Sequence, residues 1–511
     1  MKPVTWKAGG SMMPAVLYRF FRKALWILAL VLTCGVFLLN VFYTSEVAST
    51  GYEIVNISKC FPRSIPMLVI IGCVAVIISC FQKNLEKTDE KKLFRFCSLI
   101  YAVLALYLIF NVDAVLRADA KTVFSTALEA KEGIYSAFRP GYYMYRYPHQ
   151  LGLMLYDQIL TVFSENPQFA FFANFLLVLG INHTSWRISD ELFHDKLTNV
   201  LTILFSFAFL PQIFFILFVY GLIPGFFFML LGFYCAVRYA HTEDLKAMLG
   251  MLLCVAAAVV LKQNFLIGGI AIGIFLFLQL LKDKKIRLLA VLAALALSMT
   301  LPGNILKLCY GYQAEVTLNN ASPSVLWIAM GTDIDNHKRG PGWYDSSGWN
   351  LYNAAVYDAE LASKLGKEKL LENWNKIQRE PGRAGQFFLD KTISQWCDPM
   401  YESVWSGPLE DCGQYTHTEI LKSLYTGGTW ADAVAGYLKI LCLALWVYAA
   451  AFLLMKGNVA TGWEPMYLYF IGGLLFHTFW EGKSQYTYPY LFVLIPFAAF
   501  ALRDLITGRR Q

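Results

Sequence analysis

Long apolar segments recur along this chain of 511 residues, and they constrain its fold more than any other feature. A run of about 18–20 apolar residues is long enough to cross a hydrocarbon core of ~30 Å as a helix. Only 15% of the residues are charged, whereas a soluble globular protein carries about 25%. The sequence therefore predicts an all-α, polytopic membrane protein.

About twelve segments are apolar enough to be predicted as transmembrane helices. They are 24–43, 65–82, 95–112, 169–186, 198–217, 221–239, 247–261, 264–281, 287–303, 433–455, 464–480 and 485–502. A further apolar stretch, 151–165, is shorter and directly follows the polar sequence YRYPHQ.

Clusters of Lys and Arg predict the orientation of these spans. Short basic loops stay in the cytoplasm, and such clusters occur in the N-terminus, in 83–95, in 282–287 and in the C-terminal tail. All four basic clusters lie on the same side of the membrane only if 151–165 does not cross it completely. We therefore predict that both termini are cytoplasmic and that 113–168 is one extracytoplasmic region. Because irregular backbone at membrane depth needs cover, this region should line a cavity.

The same topology predicts four parts of the chain. Residues 1–94 form a two-helix membrane segment, 95–303 a membrane core, 304–432 an extracytoplasmic mixed or helical domain between the ninth and tenth spans, and 433–511 the last helices. The segments 44–64, 219–221, 262–264 and 481–487 are predicted on the outer side as well. Cys397 and Cys412 share the outer domain and can pair.

Two acids follow the predicted third span in the sequence NVDAVLRADAKTVFSTALEA. If residues 117–130 are helical, Asp119, Thr122 and Thr126 share one face. A carboxylate there can accept a proton from a hydroxyl or hold a divalent cation. Alternatively, Asp113 and Asp119 only solvate the end of a helix.

The sequence FRPGYYMYRYPHQLG carries Arg146, Tyr147, His149 and Gln150. Arginine is a bidentate donor that suits phosphate, and tyrosine rings can stack on a sugar. The alternative is an aromatic belt at the membrane interface, with arginines on lipid headgroups.

Two later outer segments add polar groups beside apolar spans. LKQN places Lys262 near hydrocarbon, where it either neutralises a phosphate or extends to the interface. EGKSQYTYPY contains Glu481, Lys483, Gln485 and Tyr486, a density that a simple loop does not need. Seven of the 13 tryptophans lie in 304–432, where they can stack on sugars or form an ordinary core.

Several function classes lack a signal. The sequence has no P-loop, dinucleotide fingerprint, zinc-helix motif or nucleophile elbow. The net charge of +7 comes from Lys and Arg residues in the predicted cytoplasmic loops, so nucleic acid is not a predicted partner. The short cytoplasmic loops indicate that a donor substrate would arrive from the membrane.

Taken together, the acidic outer loop, YPHQLGL, LKQN, SVLWIAMG, GPGWY and EGKSQYTYPY resemble bacterial GT-C glycosyltransferases. These polyprenyl-phosphate-sugar-dependent membrane enzymes are related to protein O-mannosyltransferases and lipid A aminoarabinose transferases. The likeness is greatest to the cell-envelope branch of Gram-positive bacteria, and it extends from about 95 to 503.

This resemblance implies a GT-C type fold whose active site faces away from the cytoplasm. It implies a sugar donor on undecaprenyl phosphate and an envelope glycan or lipid acceptor. The hypothesis is an inverting transfer in which Asp119 is the base, with Asp113 in reserve and Mg or Mn at Asp119 as a candidate cofactor. The resemblance assigns the donor phosphate and sugar to Arg117, Lys121, Arg146, Tyr147, His149, Gln150, Lys262, Glu481, Lys483, Gln485 and Tyr486. The 304–432 domain would bind the acceptor.

Two other functions fit a multi-span protein with both ends inside. A transporter or lipid-linked oligosaccharide flippase should carry charged or broken spans in matched halves, and this sequence has no acid in mid-span. An envelope polysaccharide polymerase also has a large outer loop, but it uses an oligosaccharide donor.

Overall fold

The computed structural model describes residues 13–409, 413–456 and 460–508. Cys412 lies outside these residues, so its pairing with Cys397 stays a prediction. The described residues form 23 α-helices and one β-hairpin. In chain order these are α1 Met13–Phe42, β1 Tyr43–Val47, β2 Val55–Lys59, α2 Phe61–Cys80, α3 Gln82–Lys87, α4 Glu90–Phe110, α5 Ala118–Lys131, α6 Tyr143–Arg146, α7 Leu151–Thr161, α8 Pro167–Phe193, α9 Lys196–Ala208, α10 Pro211–Phe214, α11 Leu222–Thr242, α12 Leu245–Leu261, α13 Leu266–Asp283, α14 Arg287–Gln313, α15 Ser324–Thr332, α16 Ser347–Ala354, α17 Ala359–Arg379, α18 Pro381–Trp396, α19 Glu419–Tyr425, α20 Thr429–Met455, α21 Glu464–Phe479, α22 Tyr488–Phe492 and α23 Ile495–Thr507.

The helices confirm an all-α membrane protein with several spans. Among the described residues, eight helices are long and apolar enough to cross a membrane, and two bent pairs raise the number to as many as ten. Each bent pair, Lys196–Ala208 with Pro211–Leu217 and Ser484–Phe492 with Ile495–Thr507, turns by 47°. The predicted spans 247–261 and 464–480 fall on α12 and α21, which have 17 and 16 residues.

The first helix is bound to the rest of the membrane bundle by polar contacts. Arg22 forms an ion pair of 2.8 Å with Glu464 of α21. The Trp26 indole donates to the Leu453 carbonyl of α20, also at 2.8 Å. Because burying charged groups in a membrane is costly unless they are paired, these contacts hold α1 against α20 and α21.

A β-hairpin follows α1, a feature that the predicted all-α fold did not include. Its strands pair antiparallel from Tyr43 opposite Lys59 to Val47 opposite Val55. The Ser45 amide donates to the Cys397 carbonyl at the end of α18, at 3.2 Å. An isolated two-stranded hairpin is marginal in water, so this contact with the outer helices explains why the strands form.

The segment 113–168, predicted to be extracytoplasmic, folds as three short helices, α5, α6 and α7, joined by turns, before α8 begins at Pro167. Helix α5 covers most of the predicted helical stretch 117–130. Helix α7 has only 11 residues, which at 1.5 Å per residue is too short to cross a bilayer. It packs closely on α12, because a Cβ added at Gly152 would lie 2.2 Å from the Val260 carbonyl oxygen. The apolar stretch 151–165 is therefore not a full span.

The region after the ninth predicted span is helical. Helix α14 continues to Gln313, beyond the predicted end of its span at 303. Helices α15 to α19 follow, and α17 is the polar helix of this region. Between them lie loops, including 340–343, that reach the segment after α21.

Candidate functional site

One cavity of about 960 Å³ lies where the segments predicted to be extracytoplasmic meet. Its lining comes from the hairpin, from 115–150, from the turns at Tyr220 and Lys262, from the 322–414 region and from the end of α21. All but two of the predicted site residues line it, namely Arg117, Asp119, Lys121, Arg146, Tyr147, His149, Gln150, Lys262, Glu481, Lys483 and Tyr486. Segments that are far apart in sequence therefore share one chamber, although their chemical roles stay predictions.

Asp119 lies in the first turn of α5 and faces the cavity. The Tyr220 hydroxyl donates to its Oδ2 at 3.2 Å. Gln150 donates to the same hydroxyl oxygen at 2.7 Å, and the Tyr143 hydroxyl lies 2.9 Å from it. A carboxylate held by such a chain of hydrogen bonds is oriented and still has lone pairs for a ligand.

The turn that presents Tyr220 depends on the next residue. Gly221 has a φ of +73°, and an added Cβ would lie 2.4 Å from the Leu261 carbonyl oxygen. Only glycine adopts this conformation at low cost in so little space. The backbone therefore brings Tyr220 between α5 and the Lys262 turn.

The two predicted site residues that do not line the cavity have structural contacts. Asp113 accepts from the Tyr415 amide at 3.1 Å and lies 3.0 Å from Nε2 of His417. Gln485 is buried, and its side-chain amide donates to Glu402 at 3.3 Å. Asp113 thus joins the end of α4 to the 413–418 segment, and Gln485 anchors its own loop.

Three cations in the cavity, Lys121, Arg146 and Lys262, have no hydrogen-bonded or ion-paired carboxylate within the described part of the chain. The Arg146 guanidinium lies 4.1 Å from the ring centre of Trp349 and 5.1 Å from that of Tyr147. Its buried Nε has no hydrogen-bond partner there. Positive groups without counter-charges attract an anionic ligand.

Lys262 lies on aromatic rings at the turn between α12 and α13. Its Nζ is 4.5 Å from the ring centre of Tyr220 and 5.5 Å from that of Tyr486. Its Nζ also lies 3.4 Å from the Tyr220 carbonyl oxygen. Removal from water, and then the charge of Lys483, lower the pKa of Lys262 to about 7. A bound anion would stabilise its charged form.

Arg117 has a different environment from these three cations. It is buried, and its guanidinium lies 3.6 Å from the ring centre of Trp405. It also donates to the Trp405 carbonyl oxygen. Arg117 therefore connects the start of α5 to the 401–409 turns.

A second charged cluster surrounds the predicted residue Lys483, and sequence reasoning missed its other members, Glu53, Arg339 and Glu402. Lys483 forms ion pairs with Glu53 of the hairpin and, at 3.8 Å, with buried Glu402. Arg339 pairs with Glu53 at 3.2 Å. Burial acts to raise the pKa of Glu53, but the charges of Lys483 and Arg339 outweigh it and lower that pKa. At Glu402 burial prevails, and its pKa is raised well above the ordinary value. The available signal was an acid, Glu53, in a predicted outer segment.

Glu481 is the acid of this wall that has no partner. Its side chain is only 6% exposed, and no described residue gives its carboxylate a hydrogen bond or ion pair. Burial, opposed by the charge of Lys483, raises the pKa of Glu481 to about 7. A carboxyl that titrates near neutrality can exchange protons with a ligand.

The loop that carries Glu481 is fixed by buried polar groups. The Lys391 ammonium donates to the Gly331 and Trp480 carbonyls, at 2.5 Å each. The Gly482 amide donates to the Gly342 carbonyl at 2.8 Å. Each contact joins the loop to a different outer element, so the Glu481 backbone is rigidly placed.

The candidate metal at Asp119 lacks companion ligands from the protein. Within 13–409, 413–456 and 460–508, no group of three or more His, Cys, Asp or Glu side chains is suited to hold a metal ion. The protein neighbour of the Asp119 carboxylate is a tyrosine hydroxyl. We therefore derive no chemical step through a metal.

No family model matches this chain, and no curated protein matches it significantly. Its function is inferred from the cavity.

Proposed function

We propose that this protein is a membrane glycosyltransferase of the GT-C type. It would transfer a sugar from a polyprenyl-phosphate carrier to an envelope glycan or lipid acceptor on the outer face of the cell membrane. The observation that carries the proposal is the group of three cations without carboxylate partners, Lys121, Arg146 and Lys262, in a cavity that also contains Asp119.

The cations suit the phosphate of the donor. Arg146 can donate two parallel hydrogen bonds to a phosphate, and Lys262 supplies a compact charge on the other side of the Tyr220 turn. Residues at the ends of α12 and α21 line the cavity, so in this proposal the polyprenyl chain remains in lipid beside these helices while its headgroup enters. Stabilising the leaving phosphate is expected to be the largest catalytic effect.

In this proposal Asp119 acts as the base, which its position in the cavity supports. The acceptor oxygen would attack the anomeric carbon of the donor sugar as the bond from that carbon to the phosphate oxygen breaks. The bonding electron pair leaves with the phosphate, the acceptor proton passes to the Asp119 carboxylate, and the anomeric configuration inverts. The Tyr220 hydroxyl holds the carboxylate in place.

The test is transfer by the purified full-length protein, with a panel of polyprenyl-phosphate sugars and candidate acceptors. Released polyprenyl phosphate and glycosylated acceptor are both measured, for wild type, Asp119→Asn and Asp113→Asn. Asp113→Asn is the matched control, because this acid lies outside the cavity. Loss of turnover in Asp119→Asn alone, by about 10²–10⁴-fold, is expected.

Other results would point elsewhere. Full turnover by Asp119→Asn would reject Asp119 as the base. If no donor is consumed but reconstituted protein moves lipid-linked sugars across a bilayer, the chain is a flippase or transporter. Activity only with an oligosaccharide donor would indicate an envelope polysaccharide polymerase.

A further inference from the structure

An aromatic surface, formed by Trp327, Tyr344 and Trp480, covers part of the cavity wall. The ring centres of Trp327 and Trp480 are 6.4 Å apart with 24° between their planes. Tyr344 lies 6.5 Å from Trp327. On the other side of Trp327, the ring of Tyr147 is 5.9 Å away. Three outer segments and the end of α21 thus bring their rings to one place.

These rings differ from the tryptophans of the core. Trp343 is fully buried and donates to the Ser394 hydroxyl at 2.9 Å. Trp327, Tyr344 and Trp480 are only half-buried, and each keeps part of its surface open to the cavity. An aromatic ring left open to water in a concave site is available for a ligand that has an apolar face.

Uncharged polar side chains without hydrogen-bond partners among the described residues line the same cavity. Ser322, Ser324 and Asn264 line the cavity, and their side chains make no hydrogen bond to any described residue. The unpaired Glu481 carboxylate follows Trp480 directly in the chain. Together they offer several donors and acceptors in the cavity that these aromatic rings line.

We infer that the Trp327–Tyr344–Trp480 surface binds a pyranose ring of a neutral glycan. A pyranose presents C–H groups on a face and hydroxyls around its edge, which fits aromatic rings bordered by hydroxyl, amide and carboxylate groups. The cations of this wall, Lys483 and Arg339, are already paired with Glu53, and Arg339 lies 5.2 Å from the ring centre of Tyr344. Among the described residues, the wall therefore offers no cation without a carboxylate partner, while Arg146 and Lys262 remain for the phosphate. If the protein is the proposed glycosyltransferase, this surface is its acceptor subsite, and that assignment rests on the proposed function.

The volume of the cavity allows both ligands. About 960 Å³ is at the upper end of the ~300–1,000 Å³ usual for small-molecule sites. It can hold a donor sugar phosphate and a ring of the acceptor together, whereas one monosaccharide would leave most of it empty. A glycan acceptor accounts for the size as well as the chemistry.

The experiment measures glycan binding without any donor. Full-length protein in nanodiscs, free of sugar-based detergent, is titrated by calorimetry with a panel of neutral oligosaccharides built from hexoses and N-acetylhexosamines. The variants are Trp327→Ala, Tyr344→Ala and, as control, Trp374→Ala, whose side chain is 55% exposed on α17. Binding of polyprenyl phosphate by each variant verifies that it is folded.

We expect wild type and Trp374→Ala to bind the same oligosaccharide, and Trp327→Ala and Tyr344→Ala to bind it about tenfold more weakly. No binding by wild type to any member of the panel would overturn the inference, as would unchanged binding in both cavity variants. If the protein transfers sugar to a lipid but binds no glycan, this inference is rejected and the glycosyltransferase proposal is retained. If oligosaccharide binding depends on Trp327 but the protein turns over no donor, the glycan site is supported and the glycosyltransferase proposal is rejected.

Discussion

Lys483 donates a hydrogen bond to Glu53, a residue 430 positions earlier in the chain. The contact joins the hairpin after the first helix to the loop before the last bent helix pair. Both side chains are largely buried, and both line the cavity. The segment 1–94, which the sequence predicts to be a separate two-helix part of the chain, therefore contributes Glu53 of its hairpin to the wall of the candidate site.

Substituting one partner of this ion pair should destabilise the protein more than substituting both partners. Glu53→Gln leaves Lys483 with a weaker counter-charge, because Glu402 is 3.8 Å away and burial raises the pKa of Glu402 well above its ordinary value. We expect a loss of about 2–3 kcal/mol in the free energy of unfolding, below the ~3–5 kcal/mol of a fully buried pair. The double variant Glu53→Gln/Lys483→Met should recover part of that loss. The free energy of unfolding is measured in mixed micelles. If the loss in the double variant equals the sum of the losses in the two single variants, the two residues are not coupled.

Donor binding should weaken as the pH rises through neutrality. The pKa of Lys262 is about 7, so its ammonium is charged below that pH and neutral above it. An intact polyprenyl-phosphate sugar is a phosphodiester, whose own charge does not change in this range. Between pH 6 and pH 8.5 we expect affinity to fall about tenfold, the value of one charged hydrogen bond. Lys262→Arg should lose less affinity over this range, because only the ionisation of Glu481, whose pKa is also about 7, then opposes the anion. A wild-type profile that is flat with pH would contradict this role.

Arg146 should be essential for turnover through its shape as well as its charge. Its guanidinium lies over Trp349 and Tyr147, with no carboxylate bound to it among the described residues. Arg146→Lys keeps the charge but cannot make two parallel hydrogen bonds to a phosphate. We expect turnover to fall by about 10²-fold. The exposed Arg139, which precedes the same turn, is the matched control, and Arg139→Lys should leave turnover unchanged. Equal rates for the two variants would argue against phosphate binding by Arg146.

The position of Glu481 should be sensitive to one methyl group at Gly331. A Cβ there would lie 2.5 Å from the carbonyl carbon and oxygen of Trp480, so this backbone must move. Because a displacement of about 1 Å can cost about 10²-fold in rate, Gly331→Ala should lose most turnover. Gly303→Ala is the control, since an added Cβ meets nothing within 4 Å. Full activity in Gly331→Ala would show that the Glu481 loop need not be held so closely.

Sequence reasoning also predicted most of the charged residues that line the cavity, but not their partners. Lys262 and Glu481 were recognised because a charge beside an apolar span is costly and stands out locally. Glu53 and Arg339 were missed, since neither is unusual in its own segment and their contact depends on the docking of the hairpin. Asp113 and Asp119 look alike in sequence, yet only Asp119 faces the cavity.

The sequence by itself determined that this is a helical, multi-span membrane protein with polar segments between its spans. Hydropathy and charge are local properties, and the cost of transfer into lipid acts on each segment separately. Only the tertiary structure decided which of these segments meet. It bent two of the helical segments, ended α7 short of a full span, and brought Lys483 to Glu53 and Trp327 to Trp480. These outcomes depend on packing between distant parts of the chain, which no local pattern encodes.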